Sequence, residues 1–139
     1  MNIQIKKIKI DMYNELFNLW KKMEGMGLSS ADNKKSIKKY LDRNPGFSFA
    51  AFKDDKLVGS ILAGHDGRRG YLYHLAVHTG FRRKGIAKNL LNQSIKKLKK
   101  TGIEKCHIFI FKNNESGRKF WDSVGWKFRE DIDVMSVYI

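Results

Sequence analysis

Cysteine is nearly absent: Cys106 stands alone in 139 residues, so no disulfide within the chain can brace the fold. A lone thiol points to a reducing compartment. Proline is as scarce, with Pro45 the only one, and no repeat, low-complexity tract or proline-rich linker interrupts the chain. The opening residues Met1 to Lys7 alternate apolar and polar and lack the long apolar run of a signal peptide or membrane span. A cytoplasmic protein with no membrane partner is therefore expected. Acidic residues are few, 14 Asp plus Glu against 28 Lys plus Arg, for a formal charge of +14. Such a field attracts nucleotide phosphates, nucleic acid or acidic surfaces. The Lys-, Asn- and Ile-rich usage equally fits the base composition of a genome, and both readings stay open.

What is present suffices for one folded domain, residues 1–139. A hydrophobic content of 42% in a chain of this length buries about two thirds of its unfolded surface without a staple. Ile3, Ile5 and Ile8 mark a first strand. Asp11 is placed to cap a helix in which Tyr13, Leu16, Phe17, Trp20 and Met23 form one apolar stripe. A shorter helix from about Asp32, with Ile37, Tyr40 and Leu41 inward, ends at Asn44-Pro45-Gly46. Residues 47–52 and 57–63 read as a hairpin around Lys53-Asp54-Asp55-Lys56. Tyr71 to Val77 is another strand, and Gly85 to Lys100 an amphipathic helix with Ile86, Leu90, Leu91, Ile95 and Leu98 on one side. A strand from Lys105 to Phe111 comes next, then a helix from about Ser116 to Ser123 closed by Gly125. A last strand lies within 127–138. The strand, helix, strand unit over 71–111 predicts two parallel strands with a right-handed crossover.

The start of the helix at Gly85 carries the most chemistry. The first N–H groups of a helix lack partners and sit at the positive end of its dipole, so anions bind there. Gly85 lets backbone approach a phosphate, small Ala87 permits the same further along, and Arg82, Arg83 and Lys84 add charge. The segment is not a Walker loop, because neither a second glycine nor the Gly-Lys-Ser/Thr ending is present. Nor is it a dinucleotide fingerprint, since the three-glycine pattern and the downstream acidic residue are missing. Kinase and hydride-transfer chemistry are thereby disfavoured. A pyrophosphate fits, though a basic turn by itself also describes a solvated surface.

Arg82-Arg83-Lys84-Gly85-Ile86-Ala87 resembles the Arg/Gln-x-x-Gly-x-Gly/Ala signature of the GNAT family of N-acetyltransferases, small single-domain bacterial-type enzymes. The preceding strand, Tyr71 to Val77, is similar to that family's too. Downstream, the run from Asn114 to Trp126 (Asn-Glu-Ser-Gly-Arg-Lys-Phe-Trp-Asp-Ser-Val-Gly-Trp) resembles its Asn-x-x-Ala-x-x-Phe-Tyr-x-x-x-Gly-Phe ending. The resemblance implies an α/β fold of the α+β kind: a mixed, mostly antiparallel sheet flanked by helices. Within it a parallel splayed pair, about 71–77 and 105–111, is joined by helix 85–100. It implies acetyl-CoA as co-substrate, no metal, and transfer of the acetyl group to an amine by direct attack in a ternary complex.

The implied roles track the motif. Backbone groups of Ala76 and Val77 pair with the pantetheine arm, with Val77 near the thioester carbonyl and its N–H a donor for the oxyanion. The amides of Arg83, Lys84, Gly85, Ile86 and Ala87 hold the pyrophosphate, with Arg82 adding charge, and Asn114 bonds the cofactor arm. Where the family often has a tyrosine that protonates the departing thiolate, this chain has Trp121, whose indole N–H releases no proton near neutral pH. Tyr73 or Tyr138 are the substitutes at hand, unless water or the substrate ammonium serves.

Other conspicuous residues divide between structure and chemistry. His74 and His78 on a strand lie about 13 Å apart, too far for one metal ion. His74 is a candidate base for the attacking amine, with a structural role as its alternative. Asp66, before Gly67-Arg68-Arg69-Gly70, is a turn former or an attractor of amines, and the turn reading weighs more. Cys106 reads as a buried small hydrophobe rather than a nucleophile. Trp126 and Phe128 read as core or sheet cover.

Two other functions compete. Lys96, Lys97, Lys99 and Lys100, with Lys105 nearby, form a basic end suited to nucleic-acid phosphates, but no reading motif or interleaved aromatics accompany them. A catalytically silent acetyl-CoA binder is the other, suggested by Trp121 and the unassigned base. The acceptor stays open among small amines, peptide N-termini and protein lysines, and so does a homodimer.

Overall fold

The helical spacing of Tyr13, Leu16, Phe17 and Trp20 makes helix α1, Tyr13–Lys21, with Leu16 and Trp20 wholly buried. A computed structural model describes residues 2–139 and divides the chain into two compact units, one ending at Phe109 and one spanning Ile110–Ile139.

The first unit is built on a five-stranded sheet in sequential order: β1 (Gln4–Lys7), β2 (Phe49–Lys53), β3 (Lys56–His65), β4 (Gly70–Val77) and β5 (Cys106–Ile108). The first three pairings are antiparallel and the last is parallel, which is the mixed sheet the sequence implies. The β2–β3 turn is the one expected, with Lys53 opposite Lys56 and both Asp54 and Asp55 at positive φ, as a tight hairpin requires. Helix α2 is Lys34–Arg43 and α3 is Ile86–Lys100. The apolar side of α3 is buried through Ile86, Leu90, Leu91 and Leu98. Gly59 on β3 lets this helix come close, since a Cβ there would lie 3.1 Å from Leu90 Cδ1.

Helix starts differ from expectation. Asp11 lies in a 3-10 turn, Ile10–Met12, and caps nothing; α1 begins after it without a side-chain cap. Asp32 ends a second 3-10 turn, Ser30–Asp32, and Asn33 caps α2 by accepting from Ser36 N at 2.8 Å. Asp32 is instead buried, which takes its carboxylate out of solvent and into the interior beside β4.

β5 is shorter than the predicted 105–111. Parallel pairing covers only Gly70–Leu72 against Cys106–Ile108, whereas β4 runs on to Val77. β5 ends with its last paired residue, so Tyr73 to Val77 have no parallel partner among the described residues.

In the second unit, helix α4 (Glu115–Ser123) forms as expected, and Gly125 lies beyond it at φ +90°. The predicted last strand is not found: residues 127–139 hold no helix or strand. Alternating apolar residues such as Ile132 and Val134 define a face, but a strand exists only where another strand takes its backbone bonds. Phe128, expected as core or sheet cover, is 61% exposed with the Arg118 guanidinium 4.3 Å from its ring centre. Trp126 is half-buried against Trp121, ring centres 4.6 Å apart.

Candidate active site

β4 leads into the site and departs from regular strand geometry within it. The register with β3 shifts between Ser60 and Leu62, and opposite this shift His74 takes φ +51°. A non-glycine residue in that region is strained, and it persists only where its surroundings fix it. Here they do. Ser60 Oγ donates to the His74 carbonyl at 2.8 Å and accepts from Trp20 Nε1 at 2.9 Å, and the Trp20 and His74 rings meet edge to face at 4.7 Å.

Past the bulge, the ladder decides which backbone groups of β4 face β3 and which face away from it. His78 N donates to Val58 O at 2.8 Å. Antiparallel pairs alternate between bonded and non-bonded. Ala76, opposite Ser60, therefore directs its groups to β3, while Val77, opposite Gly59, turns its N–H and C=O the other way. Of the two residues expected to meet the cofactor arm, Val77 turns its backbone polar groups away from β3, while those of Ala76 face it. The Val77 carbonyl accepts from Arg82 Nε at 3.3 Å, and the same guanidinium reaches Met23 Sδ at 3.6 Å. Arg82 thus ties the loop back to β4 and the end of α1.

The loop then delivers the helix start. Arg83 and Gly85 have positive φ, +61° and +79°, and Gly85 occupies the N-cap of α3 with no side-chain cap. The first bond of the helix runs from Asn89 N to Gly85 O. The amides of Ile86, Ala87 and Lys88 are left without an acceptor among the described residues. A Cβ on Gly85 would have no neighbour within 4 Å, so the cradle is open. Arg83, Lys84 and Lys88 are exposed around it. Uncapped amides, the helix dipole and cations together fit a pyrophosphate.

The other predicted residues divide between structural and chemical roles. Asn114 caps α4, its Oδ1 accepting from Gly117 N at 3.0 Å. A Cβ on Gly117 would lie 2.6 Å from Asn114 Nδ2, which explains the glycine there. Trp121 packs within its own unit, edge to face with Phe120 and tilted against Trp126. Tyr73 packs edge-on against Tyr40 at 6.1 Å, and burial, with Tyr71 adding, pushes its hydroxyl above the ordinary tyrosine range. It therefore keeps its proton, as an acid must. Asp66 accepts from Arg68 N and Arg69 N, both at 2.8 Å, and these bonds lower its pKa; they are turn chemistry. Cys106 is half-buried with its thiol pushed up by burial, the reverse of an activated nucleophile.

Sequence reasoning missed Asp32. Its Oδ1 lies 2.5 Å from His74 Nε2 and its Oδ2 accepts from Ser29 N at 2.9 Å. The Ser29 to Asp32 capping-box spacing was the available signal.

The sequence from residue 12 to 126 matches the acetyltransferase (GNAT) family. The chain belongs to that family. This acetyltransferase is 30% identical over 114 residues to an acetyltransferase of Pectobacterium atrosepticum, covering 82% of this chain and 80% of that one. A second acetyltransferase, from Sodalis glossinidius, is 26% identical over 94% of this chain and 91% of its own. Among solved structures, the PaiA N-acetyltransferase of Thermoplasma acidophilum, in complex with coenzyme A, shares the fold with a TM-score of 0.83. It is 24% identical and covers 96% of this chain and 94% of its own. A ribosomal-protein-alanine N-acetyltransferase from Brucella melitensis biovar Abortus 2308 has a TM-score of 0.76 at 20% identity, covering 99% of this chain and all of that one.

Proposed function

We propose that this acetyltransferase uses acetyl-CoA and transfers the acetyl group to a primary amine of a small molecule, peptide N-terminus or lysine, by direct attack in a ternary complex. The carrying observation is the uncapped start of α3, with Gly85 open and the first amides unbonded, placed in sequence after a strand whose Val77 turns its backbone polar groups away from β3. The neighbour solved with coenzyme A supports the same co-substrate. One acetyltransferase domain over the whole chain is part of this reading, supported by a family match that crosses from one compact unit into the next.

In this reading the amides of Arg83 to Ala87 hold the pyrophosphate, and Asn114 bonds the cofactor arm through the amide nitrogen that its capping role leaves over. The Val77 N–H polarises the thioester carbonyl, a donor worth about 3–4 kcal/mol where charge develops on oxygen. Holding amine and thioester together supplies most of the rest. His74 takes the proton of the amine. Tyr73 serves as acid in place of the tyrosine that Trp121 replaces.

The test is calorimetric titration with acetyl-CoA of the intact chain and of Gly85→Asp, which places a carboxylate in the cradle. Wild type binds and the variant weakens by a hundredfold or more, about 3 kcal/mol. Wild-type binding together with turnover on a panel of primary amines completes the case. A folded wild type that does not bind overturns it, and binding without turnover on any amine favours a silent binder.

A further inference from the structure

His74 and Asp32 are each mostly withdrawn from solvent, their side chains 13% and 9% exposed, and they come from different parts of the chain. Asp32 is fixed from three sides: its carboxylate accepts from Ser29 N, its backbone carbonyl accepts from Tyr13 Oη at 2.6 Å, and Oδ1 meets His74 Nε2. A carboxylate only accepts hydrogen bonds. The proton of a neutral His74 is therefore on Nε2, and Nδ1 presents a lone pair that no described group uses. Trp20 and Ser60 hold the ring and the backbone behind it.

We propose that Asp32 is the positioning residue of this site, holding His74 as the Nε2–H tautomer so that Nδ1 accepts the proton of the attacking amine. The inference rests on the acetyl-transfer reading above. In the step, the amine nitrogen bonds the thioester carbonyl carbon and the carbon–sulfur bond breaks with its electron pair on sulfur. An ammonium nitrogen has two protons to lose: the first passes to Nδ1 before attack and on to solvent, and the second, leaving the tetrahedral adduct, replaces the one that Tyr73 gives the thiolate, so that amide and thiol result. While His74 carries both protons, the Asp32 carboxylate beside it balances the charge. The positive φ of His74 has its reason here: the bulge turns the ring toward Asp32.

The experiment pairs two nucleophiles: ethylamine, protonated at neutral pH, and hydroxylamine, largely unprotonated there. Asp32→Asn keeps the shape and removes the charge. With ethylamine, kcat falls by about a hundredfold, in the range for one acid–base group, while KM for acetyl-CoA holds within about twofold. With hydroxylamine the loss is under about threefold, because its nitrogen already offers a lone pair and no proton need be removed before attack; the one shed afterwards comes from an acidic tetrahedral adduct. Asp32→Asn combined with His74→Gln is no slower than His74→Gln alone, as for residues that act as a unit. Equal losses on both nucleophiles, or additive losses in the double variant, overturn the proposal and leave a purely structural tie. Independently of turnover, nitrogen-15 spectra of the histidine rings at about pH 8, above the usual histidine range, show Nε2 protonated and Nδ1 bare in wild type. The opposite tautomer overturns the proposal. A wild type that binds acetyl-CoA but acetylates neither amine counts against the acetyl-transfer reading, and the ring spectrum then decides the pair.

Discussion

Asp32 and His74 lie 42 positions apart, and no spacing rule joins them. The sequence offers the histidine as a candidate base because its chemistry suits the task, and offers its partner only as the start of a helix. Burial decides between the two uses, and burial depends on how the turn at 30–32 packs against β4. Ser60 is of the same kind. Its hydroxyl, fully buried, joins Trp20 Nε1 to the His74 carbonyl. Ser60→Ala leaves a buried indole donor and a bulge carbonyl without partners, a cost of about 1–3 kcal/mol. Urea unfolding monitored by tryptophan fluorescence is expected to show that loss with an unchanged dependence on denaturant, and amine turnover falls more steeply than the modest destabilisation accounts for. A stability loss below about half a kcal/mol would show that the network relaxes around the missing hydroxyl.

At the scale of elements, the short parallel pairing of β4 with β5 needs a firm anchor at its first pair. Gly70 supplies it, pairing with Cys106 and donating to Lys105 O at 3.0 Å. A Cβ on Gly70 would lie 2.7 Å from Cys106 Sγ and 3.2 Å from Leu98 Cδ1. Gly70→Ala is therefore overpacked and costs about 1–3 kcal/mol, and Cys106→Ala, by removing the sulfur, returns part of it. Thermal unfolding of the two single variants and the double tests this coupling, and strict additivity would place the strain elsewhere. The elements themselves are legible where apolar period and turn chemistry agree: α3, the β2–β3 hairpin and β4 all stand within a residue or two of their predicted bounds. Two kinds of feature are not. The end of β5 and the fate of residues 127–139 depend on which backbone finds a partner, and alternation of side chains carries no record of that. The division of labour between Ala76 and Val77 depends on ladder phase, which the Ser60 bulge resets.

For the molecule as a whole, the charge of +14 is the broadest feature. Acetyl-transfer chemistry does not require it, and the cradle holds its own local cations. If the field guides the nucleotide phosphates of acetyl-CoA to the start of α3, association must weaken as salt shortens its range from about 30 Å at 0.01 M to about 8 Å at 0.15 M. Stopped-flow measurement of acetyl-CoA binding is expected to show an on-rate that falls by about tenfold or more across that range, with the off-rate nearly constant. S-acetylpantetheine, which lacks the nucleotide phosphates, is the control, and its on-rate should barely move. Equal salt dependence for both ligands would mean that the charge acts on protein stability or solubility and not on capture. An off-rate that carries most of the change would place the effect in the contacts of Arg83, Lys84 and Lys88 at the cradle, where a short-range bond, rather than the field of the chain, meets the phosphate.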